Sequence, residues 1–160
     1  MSLESARQFL ATHASDLAII ELEQSTATVD LAAQAHGVAP GQIAKTLSLR
    51  VGEKVVLVVA SGDMRLDNRK LKDVFGARAK MLKADEVVAL TGHPVGGVCP
   101  FGLATPLPVY CDVSLRDYDA VMPAAGSLNS AVRVAPERLA TLVQAEWVDV
   151  CQLPVAVQED

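Results

Sequence analysis

The chain has 160 residues, of which 51% are hydrophobic and 21% charged, and its formal net charge is −5. That size and balance suit one ordered globular domain spanning residues 1–160, and the acidity argues against a general coater of DNA. No apolar run reaches membrane-spanning length, no basic-then-apolar leader opens the chain, and the three cysteines lack CxxC spacing, so neither a disulfide framework nor a zinc signature is present. Reduced thiols fit a cytoplasmic protein with no membrane partner.

In chain order, Leu3, Ala6, Phe9 and Leu10 form a helical stripe, with Ser2 at the N-cap position. LAIIELE then reads as a strand. Thr28 is placed to cap a helix running through Ala35, with Asp30 in its first turn and Gly37 closing it. QIAKTLSLR and EKVVLVVAS read as two strands of a hairpin turning at Gly52 and Glu53.

A short helix over 67–75 opens at Asp67 or Asn68, and AKML follows as a strand. ADEVVALTG is a helix with Asp85 and Glu86 in its first turn and Gly92 at its end. After a loop, LPVYCDV is a strand. AVMPAA and SAVRVA are two more, joined through GSLN. Pro136 starts a last helix whose Leu139, Leu142 and Val143 face inward, EWVDV closes as a strand, and the tail LPVAVQED should fray. Tight turns between strands make antiparallel neighbours. The expected architecture is therefore α/β of the α+β type: a mixed, mostly antiparallel sheet curled toward a barrel, with helices packed outside.

Five groups of residues could carry chemistry. In QIAKTLSLR, Lys45 shares its strand face with Ile43, Leu47 and Leu49. A lysine turned inward needs an anion; it either snorkels from the sheet edge, pairs with an internal Asp, or meets an anionic ligand, phosphate being the commonest. The stretch TGHPVGGVCPFGL at 91–103 is apolar yet rich in Gly and Pro. Gly96 and Gly97 would let a backbone approach a ligand and aim amides at one spot, while Val98 and Phe101 suggest a lined pocket; the plainer reading is an ordinary turn.

His93 and Cys99 raise the question of a thiol nucleophile, although no third group is in view to orient the base. Ser127 and Asn129 in GSLN either make a turn or present hydrogen bonds to a substrate. Finally Arg65, Arg69, Lys70, Lys72, Arg78, Lys80 and Lys83 place seven of the chain's 14 basic residues within 65–83. They form either a solvated face or the place where a polyanion touches. With one Trp, two Tyr and three Phe, an extended base-stacking platform is excluded.

Taken together, GQIAKTL, SGDMRLDNRKL, TGHPVGGVCPFGL and AAGSLNSAVRV resemble, in that order, the YbaK/prolyl-tRNA synthetase-associated editing domain family over roughly residues 25 to 145. The resemblance implies a free-standing deacylase that hydrolyses the ester of mischarged tRNA, above all tRNA for proline carrying a small non-cognate amino acid. Its partners would be the tRNA acceptor end and a prolyl-tRNA synthetase. By the same resemblance Lys45 would hold the phosphate of the terminal adenosine, and Gly96 and Gly97 would lie against the scissile carbonyl. Val98, Cys99, Pro100, Phe101, His93, Ser127 and Asn129 would line the substrate pocket, and the basic segment would touch tRNA. Attack would come from a water helped by the substrate's ribose hydroxyl, with no protein nucleophile, metal or cofactor.

One departure stands out: many relatives carry Ser where this chain has Cys99, which leaves amino-acid preference open. The logic of such an activity is physical, because a synthetase gains only ~1–3 kcal/mol of discrimination from one methylene. Three rival readings make different predictions. They are a non-catalytic tRNA- or nucleotide-binding module, a cysteine hydrolase built on Cys99 and His93, and a synthetase-associated delivery protein.

Overall fold

A computed structural model describes residues 2–153; the cap expected of the Ser2 side chain and the tail from residue 154 onward lie outside the described residues. Local signals set most element ends. The Thr28 hydroxyl accepts from Leu31 N at 3.1 Å and opens helix α2 (Val29–His36), which Gly37 closes at φ 70°. Asp67 accepts from the amides of Arg69 and Lys70 and opens α3 (Asn68–Phe75). Helix α4 (Ala84–Thr91) carries Asp85 and Glu86 in its first turn and ends at Gly92, φ 77°. All three left the donors of a first helical turn to be met by side-chain oxygens or favoured by acidic charge.

The central hairpin is β2 (Ile43–Val51) and β3 (Lys54–Ser61), antiparallel over eight residue pairs from Ala44↔Ser61 to Val51↔Lys54. Around it the main sheet runs β5 (Ala79–Met81), β2, β3, β6 (Val109–Asp112), β9 (Glu146–Val148), and β7 (Met122–Pro123) also pairs with β2. The β3–β6, β6–β9 and β2–β7 pairings are parallel. Two small antiparallel sheets join β1 (Ile19–Glu21) to β8 (Ser130–Val132), and β4 (Arg65–Leu66) to β10 (Cys151–Gln152). The main sheet is thus mixed, with three of its five strand pairings parallel, and mostly antiparallel by paired residues, 11 against 8. It does not close: β5 and β9 stand at its two ends among the described residues, so the expected curl toward a barrel is not seen in the ladders.

Two strands are much shorter than the sequence suggests. AVMPAA and SAVRVA keep only β7 and β8 and meet each other through single bridges, Val121↔Val134 and Ala124↔Ala131. Pro123 removes a donor, and each segment is claimed by a different partner, β2 and β1 respectively. LAIIELE is likewise trimmed to three residues.

From Val56 to Ser61 every residue of β3 is buried, as expected for a strand covered on both faces. Leu57 and Val59 enter a core with Ala6 and Leu10 of α1 (Ser2–His13), Phe101, Cys111 and Leu139 of α5 (Pro136–Leu142). Val56, Val58 and Ala60 enter a second with Leu49, Leu71 of α3 and Cys151. A third, smaller core holds Ala32, Ala33, Ile43, Met122 and Ala131. Leu142 and Val143 pack on the first core, as the helical stripe predicts.

Candidate functional site

The third core is the floor of a cavity of about 270 Å³. It opens there because the far side of β2 is only partly paired. β7 takes Ile43 and Ala44 and β5 takes Leu49 to Val51, so residues 45–48 have β3 on one side and no strand on the other. The Ser48 carbonyl accepts from Leu82 N at 3.0 Å across this opening. In an antiparallel strand, residues two apart send their backbone groups to the same side, so the N–H and C=O of Thr46 also face the opening. The Thr46 hydroxyl is buried without a hydrogen-bond partner.

The wall is completed by Thr26 to Val29, by Leu82 and Val87, by Val95, Gly96 and Val98, and by Ser130 and Ala131. Among the described residues the cavity wall holds no carboxylate, imidazole or thiol; its polar side chains are threonines, serines and Lys45. No three His, Cys, Asp or Glu side chains converge among the described residues.

Lys45 is half-buried at the end of the second core, in register with Ala60. Its ammonium donates to the main-chain oxygens of Gly62, at 3.4 Å, and of Met64. Among the described residues no carboxylate lies within ion-pair distance, and burial pushes its pKa below the usual lysine value. Of the sequence alternatives, the pairing with an internal Asp is not what the side chain does.

The loop 91–103 divides. Gly96, at φ 95°, and Val98 face the cavity. Gly97 does not: its N–H already donates to Pro94 O at 2.9 Å, and its own carbonyl accepts from Gly126 N at 3.0 Å. A Cβ at Gly97 would come within 2.7–2.9 Å of the Ser127 backbone. Two glycine amides aimed together at one anion are therefore not formed. Gly97 is small so that two loops can touch.

Beyond Val98 the chain dives into the core. Cys99, Phe101 and His93 are each 0% exposed and are absent from the cavity wall, while Pro100 is buried and borders a separate shallow groove beside α1 and α5. His93 Nε2 lies 2.7 Å from Phe101 O, so that nitrogen carries the proton and donates, since a carbonyl only accepts. Cys99 Sγ is 3.6 Å from the same nitrogen, which has no lone pair for the thiol proton. Burial holds the Cys99 thiol at about 12 and pushes His93 below the usual imidazole value. The thiol-nucleophile geometry is absent, and the Cys99 difference from relatives lies in the core.

Ser127 and Asn129 also turn inward. Ser127 Oγ bonds Asn129 Oδ1 at 2.9 Å and Ser130 Oγ at 2.6 Å, and Asn129 Nδ2 donates to Leu22 O at 2.7 Å. They shape the turn, and it is Ser130 that reaches the cavity wall. Neither Ser130 nor Thr46 carries a sequence signal beyond its strand position. Of the basic segment, Lys70 is tied to Asp149 at 2.9 Å and to Cys151 O at 2.8 Å. Arg65, Arg69, Lys72, Arg78, Lys80 and Lys83 are exposed. Lys80 and Lys83 flank Met81 and Leu82 of the wall, and Arg65 follows the carbonyl that holds Lys45.

The pattern of the aminoacyl-tRNA editing domain matches residues 23–142, and the chain belongs to that family. Among its relatives, YwhH of Bacillus subtilis (strain 168) is 46% identical over 154 residues, 95% of this chain and 98% of that one. The "Putative Cys-tRNA(Pro)/Cys-tRNA(Cys) deacylase EbsC" of Enterococcus faecalis (strain ATCC 700802 / V583) is 31% identical over 121 residues, 74% of this chain and 73% of that one. A crystal structure described as "a putative trans-editing enzyme for prolyl tRNA synthetase" superposes with a TM-score of 0.88 at 36% identity, covering 94% of this chain and 97% of its own. No helix among the described residues is long and apolar enough to cross a membrane.

Proposed function

We propose that the chain hydrolyses the ester of mischarged tRNA, acting in trans on tRNA for proline that carries a small non-cognate amino acid. The observation that carries the reading is the cavity itself: about 270 Å³, mostly apolar, with an open strand edge at residues 45–48 and a lysine beside it that makes no ion pair among the described residues. The names of two relatives, a Cys-tRNA deacylase and a prolyl-tRNA trans-editing enzyme, support the same class.

In this reading Lys45 leaves its carbonyl partners to meet the phosphate of the terminal nucleotide, trading two neutral acceptors for an anion. The Gly96 backbone and the open edge at Thr46 lie against the aminoacyl group, and Gly97 sets the loop's distance from the 126–130 turn. A water adds to the ester carbonyl, its proton drawn toward the neighbouring ribose hydroxyl of the substrate, because the described cavity wall offers no side-chain base; the acyl–oxygen bond then breaks, and the departing ribose oxygen takes up a proton. Val98, Ala131 and Met122 bound the space for the amino-acid side chain. The exposed cations at 65–83 grip the acceptor end, with Lys70 left to its internal ion pair.

The test is ester loss from tRNA for proline charged with alanine, serine, threonine, cysteine or proline. Rapid loss from one or two small non-cognate species, with prolyl-tRNA spared, is the expected result. Binding of tRNA without turnover of any species would leave a binding module in its place.

A further inference from the structure

Lys45 makes no ion pair among the described residues although a carboxylate stands close by, and that carboxylate is bonded elsewhere. Asp63 lies between Gly62 and Met64, the two residues whose carbonyls accept from the Lys45 ammonium. Its charge reaches that ammonium and raises the lysine pKa against the larger effect of burial. Cys151 is the other group whose charge would act on Lys45, but burial holds its thiol at about 12, so it is neutral at physiological pH. Asp63 is therefore the anion that matters.

Its carboxylate has another partner. Ser61 has one hydroxyl proton for two acceptors, Asp63 Oδ1 at 2.9 Å and Gly41 O at 2.6 Å, and its backbone N–H donates to Ser114 Oγ at 3.2 Å. The other carboxylate oxygen rests against Gly41, where a Cβ would collide with Tyr118 Oη and come within 2.9 Å of Asp63 Oδ2. Gly62 is bare for a related reason, since a Cβ there would strike Pro40 O. The Ser61–Met64 turn is thus pressed onto residues 40–43, with Ser61, 1% exposed, in contact with the acid, which makes no ion pair with the lysine.

We propose that Ser61 is a positioning residue: by seating Asp63 over Gly41 it keeps the neighbouring carboxylate off Lys45, which stays unpaired for an anion brought by the substrate. The sense of the arrangement is competitive. An internal ion pair at Lys45 would have to be broken before a phosphate could bind, whereas two carbonyl contacts are given up at lower cost. Once the serine hydroxyl is gone, a change of rotamer brings Asp63 from its seat to the ammonium between its own chain neighbours.

This rests on the reading of Lys45 as the substrate's anion-binding group, so the test has one arm that needs no activity. The Lys45 side chain is titrated by heteronuclear NMR in the wild type, Ser61→Ala and Ser61→Ala/Asp63→Asn, and kcat/KM on mischarged tRNA is measured for the same three. In Ser61→Ala the lysine should titrate about one unit higher, with kcat/KM down about tenfold, mainly through KM. Adding Asp63→Asn should return both toward wild type. A lysine titration unmoved by Ser61→Ala, or a shift and loss that Asp63→Asn does not repair, overturns the proposal and leaves Ser61 a mere brace of the turn. If no tRNA species is hydrolysed even by the wild type, the deacylase reading fails while the titration still decides the role of Ser61. Should Ser61→Ala fail to fold, Ser61→Cys keeps the volume, weakens the hydrogen bond and is read by the same two measurements.

Discussion

Residues 95–98 and 99–102 are neighbours in one loop with similar composition, yet they face opposite ways. The first half borders the cavity with Val95, Gly96 and Val98. The second half plugs the main core with Cys99 and Phe101, both 0% exposed. In the first half the backbone and the absence of side chains matter. In the second, side-chain volume matters and the chemistry of the side chain does not. An apolar, glycine-rich string is ambiguous between the two until its burial is known.

The comparison breaks most visibly at Phe101. Truncation to Ala should cost about 3–5 kcal/mol, as for other buried aromatics, and urea unfolding should show it as a lower midpoint. On the cavity side, Lys45→Ala should do the reverse. It removes a charge-assisted contact of about 1.5–3 kcal/mol, hence roughly ten- to 150-fold in kcat/KM. The unfolding midpoint should hold or rise, since a half-buried ammonium without an ion pair is lost. A Lys45→Ala protein of full activity would remove the lysine from the mechanism.

Gly97 sits at the division and should show both effects. Its Cβ would press on the Ser127 backbone, which cannot yield as a flexible side chain can. Gly97→Ala should cost about 1–3 kcal/mol of stability and, by pushing the loop off the 126–130 turn, lower kcat/KM as well. A pure binding module would keep its tRNA affinity through this change. Cys99→Ala is the smaller core counterpart. It should cost about 1 kcal/mol and leave kcat/KM within a factor of two or so of wild type. Loss of all turnover in Cys99→Ala would restore the cysteine hydrolase that the burial and the His93 tautomer argue against.

What could be read beforehand follows the same division. Strand alternation put Lys45 on an apolar face, and the cap residues Thr28, Asp67, Gly37 and Gly92 marked helix ends, because these signals act within a few residues. The cavity wall was less legible. Thr46 and Ser130 look like any strand hydroxyls, and what singles them out is an edge left open by β5 and β7, partners some 30 to 80 residues away. His93, Ser127 and Asn129 had polar groups in a functional-looking stretch, but their partners are Phe101 O, Ser130 and Leu22 O. The parallel neighbours of β6 and the two-residue β4–β10 pair were equally hidden, since their pairing depends on long crossovers and not on local pattern.

The gentlest probe of the core half is pH. His93 is fully buried, and desolvation depresses its pKa below 6.5 in the folded state. Above that pH the ring is neutral folded or unfolded, and nothing changes. Below it the unfolded chain takes up a proton that the native core refuses, so the unfolded state gains and stability falls as the pH drops. His36, also depressed by burial, pulls in the same direction. Each refused proton contributes at most about 1.4 kcal/mol per pH unit. Urea midpoints should therefore be flat from pH 8 to 7 and decline below about 6.5, and His93→Gln, though less stable throughout, should decline less steeply. A mutant slope equal to the wild-type slope would mean that His93 takes its proton without leaving the core, and that the loop's second half is less dry than its burial implies.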